Sequence, residues 1–118
     1  MDSEILERLD ILYKSDQINV LEKAKTIKAI KYLENKLKIK VEKEVGGMFV
    51  THLAKALSRM DSGEAVGETT EQANKAVKEH PEILQEAKIL FKDILGIEKV
   101  PKGELNFIAM YICLMLNP

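Results

Sequence analysis

Cysteine and histidine are both scarce in this sequence. Its 118 residues include one cysteine, Cys113, and two histidines, His52 and His80. A disulfide framework within one chain and a four-cysteine zinc site both need more cysteines than this. A metal site of the three-histidine type needs more histidines. The sequence therefore excludes these classes of site, and we expect neither a metal ion nor another cofactor.

Long apolar runs and an excess of positive charge are missing too. The longest apolar run, residues 107–116, has ten residues, whereas a helix that spans a bilayer needs roughly 17–25. The N-terminus is acidic and lacks the apolar stretch of a secretory signal. Eighteen basic and 19 acidic side chains give a net charge of −1, which argues against direct nucleic-acid binding. We expect a cytoplasmic protein that does not enter a membrane.

Helical periodicity is the main positive signal. Apolar residues recur at spacings of three and four in five segments, residues 5–13, 20–37, 44–60, 81–94 and 101–116. Residues 37–41 alternate apolar with charged side chains, but no second segment alternates well enough to pair with them. We interpret them as a frayed helix end. The sequence predicts an all-α fold, a compact bundle of about five helices that forms one domain over residues 1–118.

The helix boundaries and several packing positions are also predicted. Asn19 is the expected N-cap of the second helix, and Gly96 is expected to end the fourth. Residues 60–70 form a loop, followed by a polar stretch that stops at His80 before a proline. Five sulfur-containing residues lie on apolar stripes and are expected to pack in the core: Met48, Met60, Met110, Met115 and Cys113.

Two pairs of polar residues stand out because each pair is seven residues apart, which places both members on one helix face. They are His52 with Arg59, and Glu104 with Tyr111. One interpretation of His52 is a half-buried core histidine. The other is a nucleophilic imidazole that accepts a phosphoryl group, with Arg59 as the charge partner of the phosphate. Spacing alone favours a structural role for both pairs.

Enzyme motifs are absent. The sequence has no glycine-rich phosphate loop, no Cys-x-x-Cys pair, no His-Glu-x-x-His helix and no Gly-x-Ser-x-Gly turn. An enzyme would have to use His52 as a general base beside Glu104 or Glu44. We keep this as a third hypothesis and expect a protein that is not an enzyme.

Two stretches of this sequence resemble a known family. Residues 49–54, FVTHLA, are followed by Arg59, and residues 100–112 read VPKGELNFIAMYI. Together they resemble the phosphotransferase-system regulation domain, the PRD. The resemblance extends from about residue 5 to residue 116 and includes the helix order. This five-helix module occurs, usually in tandem, in bacterial antiterminators and in transcriptional activators of sugar operons.

The resemblance implies roles for four residues. In that family two histidines are phosphorylated by the phosphocarrier protein or by a sugar-permease component. His52 matches the first of them, Arg59 matches the arginine that follows it, and Glu104 matches the acid that opens the last helix. Tyr111 stands at the second histidine position, so this sequence departs from the family there. We also expect no nucleic-acid-binding domain of the kind that such regulators carry.

The resemblance therefore implies a solitary regulatory module of the antitermination or transcription-regulation type, which forms a homodimer and signals to a separate transcription regulator. The alternative is a structural or partner-binding helical module that has lost the phosphorylation switch. Phosphotransfer to His52 is the observation that separates the two hypotheses.

Overall fold

The computed structural model describes residues 1–64 and 67–116. Over these ranges the chain forms helices and no strands, which confirms the predicted all-α fold. The helices are α1 (Ser3–Lys14), α2 (Val20–Lys36), α3 (Lys43–Ser62), α4 (Glu71–Glu79), α5 (Pro81–Ile89) and α6 (Lys102–Leu116). The polar stretch before Pro81 is thus a sixth helix, α4, in addition to the five expected.

The arrangement places α3 and α6 at the centre of the molecule. Helix α6 packs against α3, α4 and α5, while α3 also contacts α1 and α2. Apolar side chains from these helices form one continuous core. Its largest fully buried apolar members are Phe49, Phe91, Leu9, Ile30, Leu33, Leu53, Leu90, Ile108 and Ile112. None of the described helices combines the length and the hydropathy that a membrane crossing requires.

Local hydrogen bonds fix the start of α2 and the end of the helical segment that begins with α5. The Asn19 side chain accepts from the backbone N–H of Glu22, and the Glu22 side chain accepts from the backbone N–H of Asn19. This capping box confirms the predicted start of α2. At the other boundary, Gly96 has φ +69°, and the N–H of Ile97 donates to the carbonyl of Phe91 at 2.8 Å. Gly96 therefore ends its helix as predicted.

Helix α5 does not stay regular to its end. It passes into a single π-helical turn, Leu90–Ile94, in which the N–H of Leu95 donates to the carbonyl of Leu90 at 3.0 Å. Such a turn holds one more residue than an α-helical turn. Leu90, Phe91 and Leu95, in and just after this turn, are all buried.

The prediction of a frayed helix end at residues 37–41 was wrong. Helix α2 stops at Lys36, and Lys38 has φ +57°, so the chain leaves the helical region there. The segment that follows is a loop whose alternating side chains Ile39 and Val41 enter the core. A Cβ on Gly46 would lie 2.9 Å from the carbonyl carbon of Val41, so glycine is needed where α3 begins beside this loop.

Some residues predicted to be buried are exposed. Leu6, Tyr13 and Leu116 belong to the periodic apolar segments 5–13 and 101–116, yet each exposes about 40% of its surface. Met48 is 46% exposed and does not pack in the core, because it lies at the outer edge of the α3–α6 interface. Cys113 is only half-buried. Met60 and Met115 do pack against the core.

Candidate functional site

The interface between α3 and α6 brings the four predicted site residues together. His52 and Arg59 lie on α3, and Glu104 and Tyr111 lie on α6. Each pair shares one face of its helix because seven residues are close to two helical turns. The two faces meet, so that Glu104 contacts Arg59 and the Tyr111 ring packs against the His52 ring.

Arg59 and Glu104 form a two-pronged ion pair. Nε of Arg59 donates to Oε2 of Glu104 at 2.9 Å, and Nη2 donates to Oε1 at 2.9 Å. Glu104 is completely buried, whereas the Arg59 side chain remains 29% exposed. The hydrogen bonds to the carboxylate raise the pKa of Arg59 above its ordinary value. The pair therefore neutralises a buried carboxylate and ties α3 to α6.

His52 lies beside this pair without bonding to it. Its Nε2 atom is buried, lies 4.0 Å from Oε1 of Glu104, and has no hydrogen-bond partner among residues 1–64 and 67–116. The ring packs against Phe107 at 5.0 Å and against Tyr111 at 5.4 Å between centroids. The distance to Glu104 is too long for a hydrogen bond. His52 is thus held by ring packing.

Burial also sets the protonation state of His52. Loss of solvent lowers the pKa of the imidazole below its ordinary value of 6.5, and the positive charge of Arg59 lowers it further. Glu104 acts in the opposite direction with a smaller effect. The ring is consequently neutral near pH 7 and keeps a nitrogen lone pair, which a nucleophile or proton acceptor requires.

A small open cavity adjoins His52. It has a volume of about 260 Å³, and we call it the basic cavity; its lining residues are Arg8, Met48, Thr51, His52, Lys55, Arg59 and Tyr111. Arg8 reaches it from α1, where Nη1 donates to the hydroxyl oxygen of Thr51 at 3.2 Å. Three of the lining side chains are cationic. The cavity therefore favours an anion, such as a phosphoryl group.

Sequence reasoning missed Arg8, Thr51 and Lys55. Thr51 and Lys55 lie one residue before and three residues after His52, so helical spacing alone was a usable signal for Lys55. Arg8 had no such signal, because it bonds across 43 residues from another helix.

A second, larger cavity lies on the other side of Tyr111. This apolar groove has a volume of about 830 Å³ and runs between α4, α5 and α6. Cys113 lines it, and burial raises the pKa of the Cys113 thiol, so the reactive thiolate is disfavoured near pH 7. Met48 and Tyr111 line both cavities.

The geometry offers little to a general-base mechanism. The carboxylate of Glu104 is bound on both oxygens by Arg59 and lies beyond hydrogen-bond distance of His52. Glu44 is exposed in the first turn of α3, eight residues before His52, which is about 12 Å along the helix axis. Neither carboxylate is placed to orient the imidazole for proton abstraction.

Comparison with known protein families gives a match for this chain. The PRD domain family matches residues 27–113, a range that contains His52, Arg59, Glu104 and Tyr111. Comparisons with curated proteins and with solved structures each gave no match. PRD domains are regulatory modules under the control of the phosphotransferase system, and they are not catalytic. The match covers most of the chain and agrees with its all-α fold, and the chain belongs to the PRD domain family.

Proposed function

We propose that this chain is a regulatory module whose state is set by phosphorylation of His52. The donor would be the phosphocarrier protein or a sugar-permease component of the phosphotransferase system. The observation that supports this is a neutral, half-buried imidazole without a hydrogen-bond partner in the described chain, beside a cation-lined cavity. It stands at the position where the family carries its first phosphorylated histidine.

The transfer needs only a lone pair on His52. A ring nitrogen of neutral His52 attacks the phosphorus of the donor's phosphohistidine, and a new P–N bond forms. The donor's P–N bond breaks, its electron pair returns to the donor nitrogen, and that nitrogen takes a proton from solvent. The His52 ring releases its own proton to solvent. Because Nε2 is enclosed next to Glu104, a donor reaches that nitrogen only after the ring turns.

Phosphorylation would change the charge at the α3–α6 interface. A phosphoryl group adds about −1.5 to −2 charges and three strong acceptor oxygens. Beside it lies the buried carboxylate of Glu104, which is ion-paired with Arg59. The new anion repels this carboxylate. We propose that the repulsion shifts the packing of α3 against α6 and so transmits the signal.

The switch would use one site. Tyr111 occupies the position of the family's second phosphorylated histidine, and its phenol lacks an imidazole nitrogen to accept a phosphoryl group reversibly. Its ring instead packs against His52, and the residue lines both the basic cavity and the apolar groove. We therefore assign Tyr111 a packing role next to the acceptor.

The readout would pass through protein contacts. We propose a homodimer that acts on a separate transcription regulator, as the family membership suggests. Exposed apolar side chains at the junction of α1 and α2, Ile11, Val20 and Leu21, expose between 58% and 66% of their surface. They give this end of the molecule an apolar surface suited to a partner.

Phosphotransfer from the phosphorylated phosphocarrier protein tests the proposal. We expect the wild type to take up label, the His52→Ala variant to take up none, and the His80→Ala control to match the wild type. Oligomeric state, measured by light scattering before and after labelling, should change with phosphorylation. An unlabelled wild type, or equal label on His52→Ala, would show that His52 is not the acceptor.

A second candidate function is a partner-binding module without a switch. Two observations favour it: the Tyr111 substitution, and an Arg59–Glu104 pair that joins α3 to α6 without any phosphate. This candidate predicts no labelling of His52 and a constant oligomeric state. The same experiment therefore decides between the two.

A further inference from the structure

Arg59 is poorly placed to bind a phosphoryl group on His52. Both of its contacting nitrogens donate to Glu104, and that carboxylate is completely buried. Moving the guanidinium to a phosphate would take both of these hydrogen bonds away from the buried carboxylate, which is costly. A phosphoryl group on His52 thus needs another cation.

Arg8 is held at the basic cavity by two features of α3. Its guanidinium donates to the Thr51 hydroxyl, and it passes over Gly47 so closely that a Cβ there would lie 2.9 Å from its Cζ and Nη2 atoms. Glycine at position 47 leaves the space that this guanidinium occupies. The contact joins α1 to α3 directly beside His52.

The charges of Arg8 and Lys55 are uncompensated. Neither side chain takes part in an ion pair within the described parts of the chain. Both are exposed enough to move toward a ligand. Thr51 has a hydroxyl that accepts from Arg8 and can donate to a phosphate oxygen. These groups line one cavity with His52. Arg8 offers a planar guanidinium donor, Lys55 an ammonium charge and Thr51 a hydroxyl.

We propose that Arg8 of α1, assisted by Thr51 and Lys55, binds the phosphoryl group on His52, while Arg59 stays bound to Glu104. This inference rests on the proposed function for the identity of the ligand. Its consequence is that phosphorylation fastens α1 to α3, because the phosphate then bridges a side chain from each helix. The regulatory signal thus includes the docking of α1.

Inorganic phosphate tests the site without any donor protein. Backbone amides of the unmodified protein are followed by 1H–15N NMR during a phosphate titration, together with the Nε–H of Arg8. We expect saturable shifts at Thr51 and His52, and a half-saturation concentration at least about tenfold higher in Arg8→Gln, as expected for loss of a hydrogen bond to a charged group. The Lys28→Gln control loses the same charge from α2 and should match the wild type. No saturable shift, or an unchanged midpoint in Arg8→Gln, overturns the proposal.

Chemical phosphorylation tests the consequence for α1. Potassium phosphoramidate can label histidine without the phosphocarrier protein, and the label is located by mass spectrometry. Labelling of His52 should raise Tm in the wild type and in Lys28→Gln, raise it less in Arg8→Lys, and leave it unchanged in Arg8→Gln. An equal rise in Arg8→Gln overturns the inference.

The two levels of proposal fail in different ways. If the carrier does not label His52 but Arg8 governs phosphate binding, the proposed function is wrong and the phosphate site stands. If the carrier labels His52 and the Arg8 variants respond as the wild type does, the proposed function stands and the role of Arg8 is wrong.

Discussion

Removing Arg59 is expected to destabilise the protein far more than removing the charge of its partner. In Arg59→Met the buried carboxylate of Glu104 loses the two hydrogen bonds that Arg59 donates, at 2.9 Å each, and stays in the interface between α3 and α6. In Glu104→Gln no buried charge remains, and the partly exposed guanidinium can still be solvated. The two substitutions break the same pair but leave different groups behind.

The burial of Glu104 sets the expected loss of unfolding free energy for each substitution. Breaking a buried ion pair on one side costs about 3–5 kcal/mol, whereas replacing a carboxylate by an amide that keeps one hydrogen bond costs about 1–3 kcal/mol. For 118 residues, an unfolding entropy of about 2.1 cal/mol/K per residue converts the first range into a fall of about 12–20 °C in Tm. A double variant, Arg59→Met with Glu104→Leu, removes both charges and should be more stable than Arg59→Met alone.

Urea denaturation and calorimetry at pH 7.5 measure these values for the two single variants and the double variant. The reasoning is refuted if Arg59→Met costs no more than Glu104→Gln. It is also refuted if the double variant is less stable than Arg59→Met, since the pair would then not be the source of the loss.

Three further predictions concern local features. Folding lowers the pKa of His52, so the imidazole of the unfolded chain is protonated first as the pH falls through about 6.5, and the free energy of unfolding decreases. Denaturation experiments at pH 7.5 and 5.5 should show a smaller decrease in His52→Gln than in the wild type. The same decrease in both proteins would contradict this. Asn19→Ala removes a side-chain acceptor 2.7 Å from a backbone N–H in the first turn of α2, and should lower the unfolding free energy by about 0.5–2 kcal/mol. Gly46→Ala places a Cβ 2.9 Å from the Val41 carbonyl carbon and should lower the free energy of unfolding by about 1–3 kcal/mol. In the control Gly67→Ala the new Cβ has no atom within 4 Å, so Tm should change little. Similar Tm values for the two variants would show that the contact at Gly46 relaxes freely.

Periodicity identified elements whose buried faces are apolar. Within the periodic segment 5–13, Ile5, Leu9 and Leu12 are spaced by four and three residues and are the buried residues of α1, because such a stripe lies on one helix face. Helix α4 was missed because Ala73 is its only buried residue, and one alanine produces no stripe.

In α2 the buried face matches the one that hydropathy indicates only in the second half of the helix, where Ile30 and Leu33 are buried. In the first half Glu22 and Thr26 are buried, while Val20 is 66% exposed. Both polar residues satisfy their hydrogen bonds locally: Glu22 within the capping box, and Thr26 by donating to the carbonyl of Glu22 at 2.8 Å. Local satisfaction lowers the cost of burial, so a hydropathy pattern cannot find them.

The candidate site was also predictable only in part, because its contacts join residues of different helices. Two spacings of seven residues identify two helix faces, and the family resemblance suggests that they belong together. Neither shows that Arg59 is bound to Glu104, or that Arg8 enters the basic cavity from α1. Contacts of this kind depend on how helices pack, which no short sequence pattern encodes.

The π-helical turn Leu90–Ile94 has a consequence for comparing this chain with its family. A turn that holds one extra residue makes the chain one residue longer between fixed points than a regular helix would be. Deleting one residue there would restore the α-helical hydrogen-bond pattern, and the residues that follow, including the buried Leu95, would keep their present helix faces. Family members whose α5 is regular throughout are therefore expected to align with this chain only through a one-residue gap in this turn.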